Sequence, residues 1–221
     1  MAGGRGSRLE PFTKILPKPL IPLNDKAIIE HIIAKFTLYG SNSIYLTLNY
    51  KSKLIKAFFD DLQKDYTVNY VDEEVALGTA GSLKLLEGII DSNFFISNCD
   101  VLVDIDLSDF YEVHNENNNL ITVVVSTMKH VLPYGSCDLN TDGSLKGIIE
   151  KPETNHLVNT GFYIMNSKVL KYIPKNKSYD MPELIIDAIN DGKKVGIYPI
   201  SDNSWVDVGQ WPEYNKALEK F

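Results

Sequence analysis

The sequence predicts an open α/β domain, a mostly parallel mixed sheet with helices on both faces and a small antiparallel part appended. Two observations carry that expectation. Helix-type and strand-type periodicities alternate from residue 26 to residue 127, the pattern left by crossover connections in a parallel sheet. After Tyr134 the texture changes to short strands broken by Asp142-Gly143 and Lys151-Pro152, and Asp-Gly is a hairpin signal.

Each element follows from local pattern. Within residues 26–39, Ile28, Ile29, Ile32, Ile33 and Phe36 recur at helical spacing, and Gly40 ends the run. Residues 43–48 (SIYLTL) read as a strand, 52–62 as a helix and 66–71 as a strand. Residues 79–90 read as an amphipathic helix with Thr79 as its N-cap, followed by the strand 93–98. Residues 107–117 read as a helix and 120–127 as a β-branched strand. Short strands at 135–139, 145–150 and 158–165, a helix at 181–191, a strand at 195–199 and a helix at 211–220 complete the chain. There is no internal repeat, low-complexity tract or long linker.

Composition narrows the function. At 221 residues and 44% hydrophobic, the chain is long enough for one domain with a sizeable core. Its 29 acidic and 22 basic residues give a net charge of −7, which argues against nucleic acid as partner, because phosphate neutralisation supplies most of that affinity. Cys99 and Cys137 form no CxxC pair, and no apolar stretch approaches the ~20 residues of a membrane helix. A cytoplasmic protein is expected, with no membrane partner. The four histidines show no paired-ligand spacing and read as surface or helix residues.

The residues with most chemical content open the chain. MAGGRGSRLEPFTKILPKPLIPL combines a glycine-rich turn, four prolines and two basic residues, Arg8 and Lys18, placed for phosphate. Glycines let backbone N–H groups close on an anion without interference from a Cβ, and Lys18 sits between Pro17 and Pro19 on a stiff segment. The segment fits neither GxGxxG nor GxxxxGK[ST]. Four further strings stand out: Leu77-Gly78-Thr79-Ala80-Gly81 where a loop enters a helix, Asp100 after the strand FFISNC, Glu150-Lys151-Pro152 with Asn159-Thr160-Gly161-Phe162-Tyr163, and Trp205-Val206-Asp207-Val208-Gly209. A carboxylate closing an apolar strand is the usual ligand-facing acid of an open α/β sheet. Asp104-Ile105-Asp106 mimics a metal-binding DxD but reads as a solvated turn.

The opening string resembles AGGxGxRLxPxTxxxPKPxxP, the signature of the sugar-1-phosphate nucleotidyltransferases, at each fixed position. That resemblance runs from Ala2 to about Ala217 and implies a Rossmann-like three-layer fold, with residues 1–130 mainly binding nucleotide and 131–221 mainly binding sugar phosphate. It implies transfer from a nucleoside triphosphate to a sugar 1-phosphate, with pyrophosphate released. Ala2, Gly3, Gly4 and Gly6 would wrap the phosphates, Gly78, Thr79 and Gly81 would form the base pocket, and Arg8, Lys18 and Lys151 would be catalytic. Gly135, Glu150 and Asn159 would bind the sugar, and Asp100 and Asp207 would be the ligands of Mg²⁺. The GTAG string leans towards GTP with a hexose or aminohexose 1-phosphate, of the mannose-1-phosphate or glucosamine-1-phosphate guanylyltransferase type. Cys99 and Thr160 depart from the family's usual Gly and Ala.

The phrases Asp180-Met181-Pro182-Glu183-Leu184 and Gly192-Lys193-Lys194-Val195 look closest to a bacterial branch often fused to CBS regulatory domains, and a homo-oligomer is compatible with the resemblance. In the family a strand of about four to six residues runs into the AGG. The natural chain is therefore expected to extend upstream, and the central sheet here to lack its first strand. Two rival readings are a metal-dependent glycosyltransferase, which would need a working DxD, and a non-catalytic nucleotide-sensing module of a larger protein. Release of pyrophosphate, as against a free nucleoside diphosphate or no turnover, separates the three.

Overall fold

A computed structural model describes residues 1–220 of the chain. Its helices are α1 (Ile28–Leu38), α2 (Ser52–Asp61), α3 (Leu107–Glu116), α4 (Met181–Asn190) and α5 (Trp211–Lys220). Its main strands are β1 (Ser43–Leu48), β2 (Thr67–Asp72), β3 (Asn93–Ser97), β4 (Val101–Val103), β5 (Ile121–Val131), β6 (Ser136–Leu139), β7 (Leu145–Ile149), β8 (Glu153–Asn166), β9 (Val195–Ile200) and β10 (Trp205–Asp207). Four strands form one ladder in the order β9-β5-β8-β3, and β1 pairs with β2 in parallel beside it. Strand β9 runs parallel to β5, whereas β8 is antiparallel to both of its neighbours. The sheet is therefore mixed.

Strand residues alternate between two cores, which is why these strands read as nearly continuous apolar runs. Ile121, Val123 and Val125 with Tyr163 and Met165 pack towards α4 and Leu83, Leu86 and Leu170. Val124, Phe162 and Ile164 face the other way, onto Leu107 and Phe110 of α3. Helices α1 and α2 bury Ile29, Ile33, Ile55 and Phe59 against Leu46 and Leu48 of β1. Helix α3 starts where Asp106 Oδ1 accepts the N–H groups of Ser108 and Asp109, at 2.8 and 3.2 Å. The Asp142-Gly143 turn does join β6 to β7 as a hairpin, with Gly143 at φ 83°.

Three expectations need correction. Residues 79–90 are not one helix: a helical turn, Gly78–Gly81, gives way to a 3₁₀ segment, Ser82–Leu86. Its buried residues Ala80, Leu83 and Leu86 lie three apart, the period of a 3₁₀ helix, while Leu85 and Ile89 are exposed. Thr79 is not the N-cap, which falls on Leu77. Strands β5 and β8 outrun their expected ends because their distal halves pair with each other from Thr127–Leu157 to Val131–Glu153, a ladder that overrides the weak strand propensity of Lys129, Asn155 and His156. A register shift between Asn159 and Tyr163, with Gly161 at φ 85°, lets this ribbon bend out of the core.

Strands β1 and β3 face each other without pairing. Between them lies a cavity of about 530 Å³ lined by Ile29, Ile33 and Phe36 on one side and by Leu83, Leu86 and Ile90 on the other. Met1 and Ala2 bridge it at the carboxyl ends of the strands. Met1 Nα donates to Ser97 O at 2.7 Å, Cys99 N to Met1 O at 3.2 Å, and Ala2 N to Thr47 O at 3.0 Å.

His114 of α3 is buried, and its Nδ1 lies 2.7 Å from Thr122 Oγ1. Burial holds its imidazole below the ordinary value. The fold therefore favours the neutral ring, and this stabilisation is complete above about pH 6.5, the unfolded value, and declines as the pH falls below it. Urea midpoints should drop between about pH 7.5 and about pH 5.5, and the drop should shrink in His114→Gln. Equal slopes in the two proteins would remove His114 as its source.

Candidate active site

The opening segment lies across the carboxyl ends of β1 and β3, the usual ligand side of an open α/β sheet. Residues 3–6 form the glycine turn, and Gly6 adopts φ 66°. Thr13 Oγ1 donates to Gly6 O at 3.0 Å, and a Cβ on Gly6 would meet the Lys18 and Thr13 side chains at 3.0 Å. Buried Leu9, Pro17 and Pro19 hold the segment down so that Lys18 projects from a fixed backbone. Gly4 has open space where a Cβ would stand.

Lys18 meets Asp100. Its Nζ bonds to Asp100 Oδ2, with the two side chains 12% and 22% exposed. Strand β10 pairs antiparallel with β4 so that Asp207 lies opposite Val101, and Val208 N donates to Asp100 O at 2.9 Å. Two carboxylates about a hundred residues apart in sequence thus share one place. The point where a Cβ of residue 209 would fall lies 2.6 Å from Lys18 Nζ, 2.7 Å from Asp207 Oδ1 and 2.9 Å from Asp100 Oδ2. Only glycine leaves that space empty. Burial raises the Asp207 carboxyl above the ordinary range, and the nearby Asp100 charge raises it further, while the Gly209 N–H, Lys18 and Arg8 act in the opposite sense.

A cavity of about 420 Å³ opens above this cluster, lined by Gly3, Gly4, Gly6, Arg8, Lys18, Gly78, Thr79, Asn98, Asp100 and Gly209 among others. Arg8 is exposed at its rim. Glycine amides, a fixed lysine and a mobile-length arginine around one concavity suit a phosphate chain. Two converging carboxylates with oxygen donors suit a small hard cation that keeps several of its waters. Among the described residues, no group of three or more His, Cys, Asp or Glu gathers as a full protein cage.

Several expected site residues fall elsewhere. Ala2 is buried and its N–H is spent on Thr47, so it is a core residue and does not reach the cavity. Gly81 is also buried; its N–H bonds to Tyr179 O at 2.8 Å, and a Cβ there would meet Lys177 O at 3.0 Å. Gly135, Glu150, Lys151 and Asn159 do not line this cavity. Gly135 and Glu150 are brought together, with Glu150 Oε2 3.1 Å from where a Gly135 Cβ would stand. Lys151 is exposed on the turn between β7 and β8, at φ 44°. Asn159 Oδ1 accepts the Gly161 N–H at 2.9 Å, on the bulge that packs against Asn98 at the end of β3.

Two residues were missed. Glu73 lines the cavity, accepts the Leu77 N–H at 3.1 Å and would touch a Gly3 Cβ at 2.8 Å, so it lies between the glycine turn and the residue 78–81 turn. Burial raises its carboxyl. Gly209 stands in a quoted string, but nothing in a sequence says that three charged atoms meet over its Cα. Asp104 and Asp106 are spent on Lys35 and on the start of α3, as a solvated turn would have them. The Cys99 thiol is pushed up to about 11, first by burial and then by Asp100.

The fold and the site define a class, the open α/β proteins with a glycine-rich anion turn facing paired carboxylates at the strand ends of the sheet. Within that class the chain belongs to the nucleotidyl transferase family, whose model matches residues 1–221. It is 29% identical over 239 residues to the UTP–glucose-1-phosphate uridylyltransferase of Synechocystis sp., covering 99% of this chain and 61% of that protein. It is 32% identical over 219 residues to the mannose-1-phosphate guanyltransferase of Hypocrea jecorina, covering 95% and 60%. The chain thus spans about three-fifths of the length of these curated relatives. The crystal structure of HddC from Yersinia pseudotuberculosis complexed with GMP-PN matches at a TM-score of 0.75 and 25% identity, covering 100% of this chain and 96% of that one.

Gly209→Ala should weaken nucleotide binding at least about tenfold without unfolding the protein, since its methyl would enter the Lys18–Asp100–Asp207 cluster. Gly147→Ala, where a Cβ meets nothing within 4 Å, is the control. Calorimetric titration with a nucleoside triphosphate, beside circular dichroism, reads both; undiminished binding by Gly209→Ala would contradict the geometry.

Proposed function

We propose that this chain transfers a nucleotidyl group from a nucleoside triphosphate to a sugar 1-phosphate, releasing pyrophosphate and forming a nucleoside-diphosphate sugar. The observation that carries this reading is the convergence of Lys18, Asp100 and Asp207 at the foot of the glycine turn. A phosphate oxygen of the sugar 1-phosphate attacks the α-phosphorus. The new O–P bond forms as the bond to the bridging oxygen of pyrophosphate breaks, and that oxygen leaves with the electron pair. The nucleophile is already an anion, so no general base is needed. What remains is to bring two polyanions together and to offset charge in the transition state.

Lys18 is the fixed cation for that task, at the point where the two phosphate groups would meet. Arg8, at the rim, neutralises the departing pyrophosphate. By the family resemblance, Lys151 on the ribbon turn would neutralise the sugar phosphate, Glu150 and Asn159 would read hydroxyl groups, and Gly135 would let the backbone approach the ring. Asp100 and Asp207 would hold Mg²⁺, which supplies further charge neutralisation when bound. Gly78 and Thr79 border the base. GTP with a hexose or aminohexose 1-phosphate is the preferred pair; the guanyltransferase among the relatives and the GTAG turn support it. The glycosyltransferase reading is disfavoured because Asp104 and Asp106 of its DxD lie outside the cavity at the glycine turn, and Asp106 starts α3.

Pyrophosphate release should be measured across four nucleoside triphosphates crossed with a panel of hexose 1-phosphates. The highest rate is expected with GTP. Asp100→Ala and Asp207→Ala should each lower the rate by about 100-fold or more while remaining folded. Full activity in either variant would sink the metal assignment, and formation of a free nucleoside diphosphate in place of pyrophosphate would sink the reaction.

A further inference from the structure

The turn 78–81 does not hold its own shape. Its inward-facing groups are bonded to residues 179–181, a hundred positions later. Tyr179 N donates to Leu77 O at 2.9 Å, while Tyr179 O accepts from Ala80 N at 3.0 Å and from Gly81 N at 2.8 Å. Asp180 Oδ1 accepts from Thr79 N at 2.9 Å and from Thr79 Oγ1 at 3.2 Å, and Thr79 Oγ1 in turn accepts from Met181 N at 2.8 Å. The approach is close. A Cβ on Gly78 would fall 2.7 Å from both Asp180 Oδ1 and Tyr179 O, and Gly78 sits at φ 78°. The partner segment is anchored too: Glu183 Oε2 accepts the Asp180 N–H at 2.7 Å as α4 begins, and α4 buries Met181, Leu184 and Ala188 in the main core.

Gly78 and Thr79 line the cavity, yet the polar groups of Thr79 are turned away from it, towards Asp180 and Met181. A short turn with two glycines has little conformational preference of its own. We infer that Asp180 is a positioning residue for the nucleotide: its carboxylate clamps Thr79 to the start of α4 and so sets the shape of the wall that residues 78 and 79 present to the cavity. It touches no substrate. Its role deepens the proposed function and rests on that reading for the identity of the nucleotide, but the clamp itself does not depend on it.

Position 180 can be tested in the full chain by comparing Asp180→Ala with Asp180→Asn. Asparagine keeps the Oδ1 acceptor and starts a helix as well as aspartate does. Loss of the two hydrogen bonds to a charged acceptor should raise KM for the nucleoside triphosphate about tenfold in Asp180→Ala. Its KM for the sugar 1-phosphate and its kcat should stay within about twofold, and Asp180→Asn should behave as the parent does. Equal changes in both KM values, or no rescue by asparagine, would overturn the positioning role.

Amide hydrogen exchange in the protein without substrates reads the clamp alone. The N–H groups of Thr79, Ala80 and Gly81 should exchange faster in Asp180→Ala than in the parent, and Asp180→Asn should restore protection. Unchanged exchange would overturn the clamp. Faster exchange in a protein that releases no pyrophosphate would retain the clamp and reject the enzymatic reading.

Discussion

The Lys18–Asp100 ion pair, with Asp207 set against it, is the interaction on which the rest of the site depends. Neither carboxylate would sit partly buried beside the other without a cation, because like charges at this distance oppose ionisation of both. Lys18 can supply the cation only because the backbone on either side of it is fixed by buried prolines and by the Thr13 bond to Gly6. Asp207 can approach only because β10 pairs with β4 in a register that sets it opposite Val101, next to Asp100. The glycine turn, the β3–β4 corner and the β10 segment are therefore three separate solutions to one electrostatic problem. A phosphate chain entering the cavity would meet charges that the fold has already paired and oriented, so little reorganisation would be needed on binding.

Much of this was legible from the sequence because it rests on local pattern. The periodicity of α1, β1, α2, β2 and α3 comes from apolar residues that meet the core, and their observed ends lie close to the expected ones. The misread segment is instructive. Residues 79–90 contain apolar residues at spacings that satisfy a helix, but Gly78, Gly81 and Gly88 weaken helical propensity. Packing then selected the three-residue period of Ala80, Leu83 and Leu86. The long ribbon of β5 and β8 escaped notice for the opposite reason. Its distal residues have no apolar alternation of their own, and only their mutual pairing makes them strands.

In the site, residue types were easier to read than jobs. A small residue in a functional string can be small so that a ligand may come close, or so that the protein may. Gly4 is of the first kind, with open space over its Cα, and Gly81 and Ala2 are of the second, packed against Lys177 O and into the β1 core. Gly209 belongs to both, since the groups crowding it are the charged atoms of the site itself. One letter in the sequence stands for all three situations, and only the third dimension separates them.

Residues with partners far away in sequence were the hardest to see. Glu73 reads as one acid in the run Asp72-Glu73-Glu74, and Asp180 as an ordinary helix start. Their meaning comes from where they lie: Glu73 between the glycine turn and Leu77, and Asp180 against Thr79. Both join elements that carry the cavity wall to elements rooted in the core. A site made of short loops needs such ties, because turns of three or four residues bury too little surface to fix themselves. The cavity's shape is thus set from behind, by carboxylates that accept backbone N–H groups. Asp100 lines the cavity paired with Lys18, and Asp207 lies beside them. That division among acidic residues of one type is a property of the folded chain, and no local pattern in the sequence encodes it.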